Sequence, residues 1–164
     1  MVRAAPHPSL RAHVREYIGW FEHFAVPLCR REVPTEIVPV IINFGAPVRL
    51  FDAQDPSRWT DYGSFTTGAY DSHVLVGSSG PSGGLQINMS ILGARLFLGR
   101  PLRDLRNRAV GLDDVLGGDA RRLTMELYDA KTWEARFTIL DRELASRILT
   151  AKAPSASVTW SGAG

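Results

Sequence analysis

Leu85-Gln86-Ile87-Asn88-Met89-Ser90-Ile91-Leu92-Gly93-Ala94-Arg95-Leu96-Phe97-Leu98-Gly99 is the stretch in which the chain changes its hydrophobic period. Leu85, Ile87, Met89 and Ile91 alternate with Gln86, Asn88 and Ser90, the two-residue period of a strand with one buried and one polar face. After Ser90, Leu92 to Leu98 reads as a short helix, with Gly99 placed as its C-terminal cap and Pro101 just beyond. Residues before this point are expected to form strands and those after it helices. The fold class that follows is α+β: a small antiparallel β-barrel or sandwich, then a helical C-terminal layer.

Working upstream, Ile37 to Phe44 is an apolar, β-branched run whose first half Pro39 should demote to an edge or bulge. Val48–Phe51 follows the Gly45-Ala46-Pro47 turn, and Phe65–Thr67 and His73–Gly77 read as further short strands. Near the N-terminus, Ser9 is placed to cap a short helix in which Leu10, Val14 and Tyr17 share a face. Working downstream, Pro101 starts a turn through Leu102 and Leu105, and Asp113 to Ala130 carries a helical pattern broken at Gly117-Gly118. Thr132 is a good N-cap for the strongest helix, whose stripe is Trp133, Phe137, Leu140, Leu144 and Ile148. Glu143 and Arg147 add an i, i+4 pair on it. That stripe fits a domain's own core as well as a helix pair between subunits. The expected organisation is a β-rich part over 1–91, a helical part over 92–150, and a Pro, Ser, Ala and Gly-rich linker over 151–164.

The 164 residues are 45% apolar and 22% charged, ordinary for one soluble domain of a size that needs no metal or disulfide staple. Lone Cys29 fits a reducing cytoplasm; beside Arg30 and Arg31 it could be a reactive thiol, though a small buried hydrophobe is the plainer reading. No run approaches the ~20 apolar residues of a membrane span, and the N-terminus lacks the apolar core of a signal peptide. A cytoplasmic protein without membrane partners is expected. A formal charge of +2 is too small for a dedicated nucleic-acid module.

Chemistry-bearing motifs are scarce. Gly77 to Gly84 is Gly- and Ser-rich, but no Lys-Ser/Thr pair or helix follows it as a phosphate loop requires, so it reads as a mobile hairpin connection. His7, His13, His23 and His73 are scattered without metal-ligand spacing, and no cofactor is expected. No nucleophile elbow accompanies the available Ser, His and Asp, so an enzyme has no positive support. Asp113-Asp114 suits a helix start. Arg95, Arg100, Arg103, Arg106 and Arg108 read as a solvated basic stretch, without the interleaved aromatics of a single-strand binder.

The segment Gly93-Ala94-Arg95-Leu96-Phe97-Leu98-Gly99-Arg100-Pro101-Leu102-Arg103-Asp104-Leu105 resembles the GAR-x-LLG-x-P-x-x-x-L segment in the N-terminal half of one subgroup of AraC-type bacterial transcription regulators. Leu112-Asp113-Asp114-Val115-Leu116-Gly117 and Trp133-Glu134-Ala135-Arg136-Phe137 follow in the same order. Tyr17-Ile18-Gly19-Trp20, Arg31-Glu32-Val33-Pro34 and Asn43-Phe44-Gly45 fit the same family's β portion. Ile91 stands where that family commonly has proline, and the family's two helix-turn-helix units do not follow. The resemblance implies a cupin-like barrel holding a small effector, helices that make a homodimer, and DNA contact only through the missing helix-turn-helix half. The expected function is effector sensing and dimerisation, with a stand-alone cupin-like binding protein or enzyme as the alternative. Expected effector contacts are Trp20, Arg31, Glu36, Asn43, Gln86 and Asn88, and the expected dimerisation stripe is Trp133, Phe137, Leu140, Leu144 and Ile148.

Overall fold

A computed structural model describes the backbone of residues 1–22, 28–32, 36–68, 74–78 and 80–163, and side chains over 1–21, 36–68, 74–78 and 80–151. The strands are β1 (Val2–Ala4), β2 (Val14–Glu22), β3 (Leu28–Glu32), β4 (Val38–Asn43), β5 (Val48–Phe51), β6 (Trp59–Tyr62), β7 (Phe65–Thr67), β8 (Val74–Ser78), β9 (Ser82–Met89) and β10 (Ala109–Gly111). The helices are α1 (Ile91–Leu98), α2 (Leu112–Leu116), α3 (Gly118–Asp129) and α4 (Trp133–Ala163). Short 3-10 turns occupy Pro8–Leu10 and Leu102–Leu105. The strands form two antiparallel sheets, β1-β2-β9-β4-β7-β10 and β3-β8-β5-β6. The protein is thus α+β, and its strands make two separate sheets, not one closed barrel.

Strand β9 lies between β2 and β4, so its alternation governs both faces of the larger sheet. Opposed residues of an antiparallel pair share a face. Tyr17, Ile87 and Val40 form one such row, and Ile18, Gln86 and Ile41 the neighbouring row on the other face. The first face meets the helices. Leu85, Ile87 and Met89 are fully buried there, as are Val40 and Ile42 of β4, against Phe97, Leu123, Leu127, Leu140, Leu144 and Ile148. The opposite face turns toward the second sheet.

Helix α4 spends its apolar stripe on this core. Leu140, Leu144 and Ile148 have essentially no exposed surface, and Phe137 stacks on Tyr17 at 5.8 Å between ring centroids. Trp133 lies flat against β2 at Gly19, where a β-carbon would come within 2.3 Å of the indole. Burying Leu140, Leu144 and Ile148 is worth about 5–9 kcal/mol in all, comparable to the whole stability of a typical domain. Turning them outward to a partner subunit would forfeit that. The stripe expected to dimerise is therefore occupied within the chain. Helix α3 is tied to α4 by ion pairs as well: Arg122 to Glu143 at 2.8 Å, Arg147 to Asp119 at 2.9 Å, and Arg142 to Glu126.

Several expectations change. The helix expected over Leu10, Val14 and Tyr17 is a 3-10 turn followed by β2. All three residues are buried as the pattern required. A register shift between Val14 and Glu16 turns both Val14 and Tyr17 to the core, which a regular strand forbids at that spacing. Pro39 sits in β4, an inner strand. It is tolerated because the ladder from β7 covers only Val40 and Ile41, while Thr66 Oγ1 donates to the Pro39 carbonyl at 3.0 Å. Ile91 begins α1 and is exposed; the strand ends at Met89 because Ser90 caps the helix, its Oγ accepting from Gly93 N. The Gly-rich connection joins β8 of one sheet to β9 of the other, so it is no hairpin. Helix α4 runs to Ala163, through the stretch expected to be a linker. Cys29 and His73 fall outside the described side chains.

Asp141 of α4 anchors the N-terminal segment, accepting from Tyr17 Oη at 2.8 Å and from His7 N at 3.0 Å. Burial, then the hydrogen bond to this carboxylate, pushes the Tyr17 phenol well above its ordinary range. The unfolded phenol ionises near pH 10 while the folded one stays neutral. Its contribution is therefore full below about pH 10 and lost as pH rises further. Tyr17→Phe should cost about 1–2 kcal/mol at neutral pH. The gap to wild type should narrow between pH 9 and 11 in urea melts; a gap constant with pH would contradict this coupling.

Candidate functional site

The inner face of the larger sheet carries Ile18 and Trp20 of β2, Pro39, Ile41 and Asn43 of β4, Gln86 and Asn88 of β9, and Phe65 of β7. Across from it, Leu50 and Val48 of β5 and Val74 and Val76 of β8 face inward with Tyr62 of β6. The outer face of β5 and β6 instead carries Arg49, paired with Asp61 at 3.0 Å and stacked on Trp59. Among the described residues, the sheets touch through an apolar cluster in which Ile41, Leu50 and Phe65 are buried. Trp20, Val48, Tyr62, Val74 and Val76 stay partly accessible.

Accessibility at the middle of the sheet is informative. Gln86 and Ile18 stand on adjacent inner strands, with their neighbours Leu85, Ile87 and Tyr17 fully buried, yet both keep exposed surface. Ile41 and Phe65 of the same row are buried against Leu50, so the accessible part of this face lies on β2 and β9. An apolar surface with a few convergent polar groups is the usual lining of a small-molecule site.

The polar groups form a chain. Arg3 of β1 places Nη1 3.0 Å and 2.9 Å from the two Glu16 oxygens. Asn88 Nδ2 donates to Glu16 Oε1 at 3.1 Å, and Gln86 Nε2 donates to Asn88 Oδ1 at 2.8 Å. Glu16 and Asn88 are register partners, and Gln86 is two residues along on the same face. The chain runs inward from an exposed ion pair, through buried Asn88, to partly accessible Gln86. At the other end of the sheet, Trp20 Nε1 donates to Ser82 Oγ at 2.9 Å.

Of the residues singled out in the sequence, Gln86, Asn88, Trp20 and Asn43 share the inner face. Asn43 is committed to its own turn: Oδ1 accepts from Gly45 N and Nδ2 donates to the Ala46 carbonyl, each at 3.0 Å. Glu36 is exposed ahead of β4. Arg31 pairs with Leu75, in the register row alternate to those of Val74 and Val76; its side chain is outside the described residues. Glu16 and Arg3 were not foreseen. The missed signal was Arg15-Glu16 interrupting an otherwise apolar strand, obscured by the bulge that shifts the period there.

Among the described residues, no group of three or more His, Cys, Asp or Glu is gathered to hold a metal ion, and no helix is long and apolar enough to cross a membrane. The basic stretch is spread over α1, the turn after it and the loop before β10, without a common helix face. No protein-family model and no curated protein matches the chain.

Asn88 is the buried middle link, and its Oδ1 depends on the Gln86 donor. Gln86→Leu leaves that buried oxygen unpaired and should destabilise by about 1–3 kcal/mol, whereas Asn88→Leu strands a donor only on partly accessible Gln86 and should cost less than about 1 kcal/mol. Urea unfolding of the two variants checks the order; equal losses would mean that the chain is not organised from Glu16 inward.

Proposed function

We propose that the protein is the effector-sensing half of an AraC-type transcription regulator, with the effector held between the two sheets in the manner of a cupin-like domain. The accessible, amide-bearing centre of an inner sheet face is the observation that carries this reading.

The segment that carries the family resemblance is consistent with it. Gly93 approaches the backbone of β2's lead-in so closely that a β-carbon would stand 2.2 Å from the His13 carbonyl oxygen. Ala94, Phe97, Leu98 and Leu105 enter the core, and Gly99 closes α1 in the left-handed conformation. These residues dock the helical layer on the sheet. They bear on the fold and leave the effector's chemistry to the inner face.

Homodimerisation belongs to the same reading. With the stripe of α4 occupied, a partner subunit would have to use the faces that α1 and α4 leave exposed, where Ile91, Leu92 and Leu149 stand. An effector changes such a regulator only through different affinities for two states. DNA contact would come from a helix-turn-helix half outside this chain.

Native mass spectrometry of the purified chain reports subunit number and retained small molecules together. The expected result is a metal-free dimer that retains or takes up one small organic molecule per subunit. A monomer with a stoichiometric metal ion would instead favour a stand-alone cupin-like enzyme.

A further inference from the structure

We propose that the hollow where α1, α2 and α4 meet binds a small uncharged molecule with an apolar body and a carbonyl oxygen directed at the Arg147 guanidinium. This site lies in the helical layer and does not depend on the reading of the inter-sheet face.

The hollow has a volume of about 410 Å³, within the ~300–1,000 Å³ usual for small-molecule sites. The C-terminal turns of α1 and α2 line it with Leu96, Val115 and Leu116, each of which keeps accessible surface. Helix α4 contributes Ser146, Arg147 and Thr150. Positions three and four apart are neighbours on a helix face, so Thr150 stands one turn beyond both Ser146 and Arg147.

Arg147 gives the hollow its chemistry. Its Nη2 donates to Asp119 at 2.9 Å, its Nε stands 3.6 Å from Glu143, and its guanidinium carbon lies 5.6 Å from the centre of the Phe97 ring. A guanidinium carries five N–H donors. Among the described residues Nη1 meets no acceptor, which leaves it as the donor available to a ligand. The neighbouring hydroxyls are uncommitted as well. Thr124 and Thr138 donate to the carbonyl four residues earlier, but Ser146 and Thr150 make no such bond among the described residues. A charged donor and two hydroxyls beside apolar side chains suit a ligand with one acceptor on an apolar body.

Charge decides the kind of acceptor. Between α3 and α4, Asp119, Glu126 and Glu143 are joined to Arg122, Arg142 and Arg147 in one network in which the charges balance. Arg147 thus already faces two carboxylates, and one of them, Glu143, is buried. A ligand carboxylate would add a negative charge near Glu143, where water screens it weakly. A ketone, ester or lactone carbonyl accepts from the same N–H without adding charge, and a charged donor makes the stronger kind of hydrogen bond to it.

Two sets of matched compounds test this on the intact chain: methyl benzoate, benzoate and propylbenzene, then cyclohexanone, cyclohexanecarboxylate and methylenecyclohexane. NMR titrations would follow the methyl groups of Leu96, Val115 and Leu116, with those of Ile18 and Ile41 as the inter-sheet reference. In at least one set the uncharged carbonyl compound should shift the first group and bind about tenfold more tightly than either twin, roughly the worth of one hydrogen bond to a charged donor. Arg147→Met keeps the apolar stem and should bring the carbonyl compound within about twofold of the hydrocarbon. Tightest binding by the carboxylate in both sets would overturn the choice of an uncharged ligand. Equal binding of all three members would overturn the choice of a carbonyl. Absence of shifts at Leu96, Val115 and Leu116 with every compound would overturn the site, whether or not Ile18 and Ile41 respond. The wild-type titrations decide these outcomes even where Arg147→Met fails to fold.

Discussion

The apolar burial of β9 on one face, with polar side chains on the other, is the constraint on which the rest of the molecule depends. Leu85, Ile87 and Met89 are sealed beneath the helices, which fixes the register of the strand, because a slip of one residue would bring Gln86 and Asn88 into an apolar core. That core is broad and carries most of the apolar burial. Among the described residues, the opposing contact between the sheets buries Ile41, Leu50 and Phe65. Most of the described apolar burial therefore lies on the helix side, and the inner face keeps polar groups.

The same division explains what the polar chain on the inner face is for. Buried amides are tolerated when each hydrogen bond is made. Asn88 meets this requirement through Glu16 and Gln86, and the exposed Arg3–Glu16 pair closes the outer end in contact with water. An exposed pair of this kind adds little stability. Its effect is directional: it orders the amides behind it.

Much of the architecture was legible in the sequence. The change of period after Ser90, the cap at Gly99, the break at Gly117 and the N-cap at Thr132 all coincide with observed element boundaries, because each depends on local backbone chemistry. Four short strands were visible for the same reason. The lead-in to β2 was not, since a bulge mimics helical spacing when it returns Val14 and Tyr17 to one face. Strand β6, with Trp59 and Asp61 exposed, buries too little to leave a pattern. Gln86 and Asn88 could be named from alternation alone. Which face they occupied, and the partnership with Glu16 and Arg3, depend on β9 pairing with a strand more than sixty residues earlier, which no local pattern reports.

Thiol accessibility along β9 tests the central division most directly. With Cys29, the one native cysteine, replaced by serine, Gln86→Cys and Ile87→Cys place single thiols on opposite faces of the same strand. N-ethylmaleimide should modify the first under native conditions and the second only when denaturant unfolds the domain. Equal protection of the two would mean that the inner face is packed shut, and reaction of both would mean that the helical layer does not seal the other.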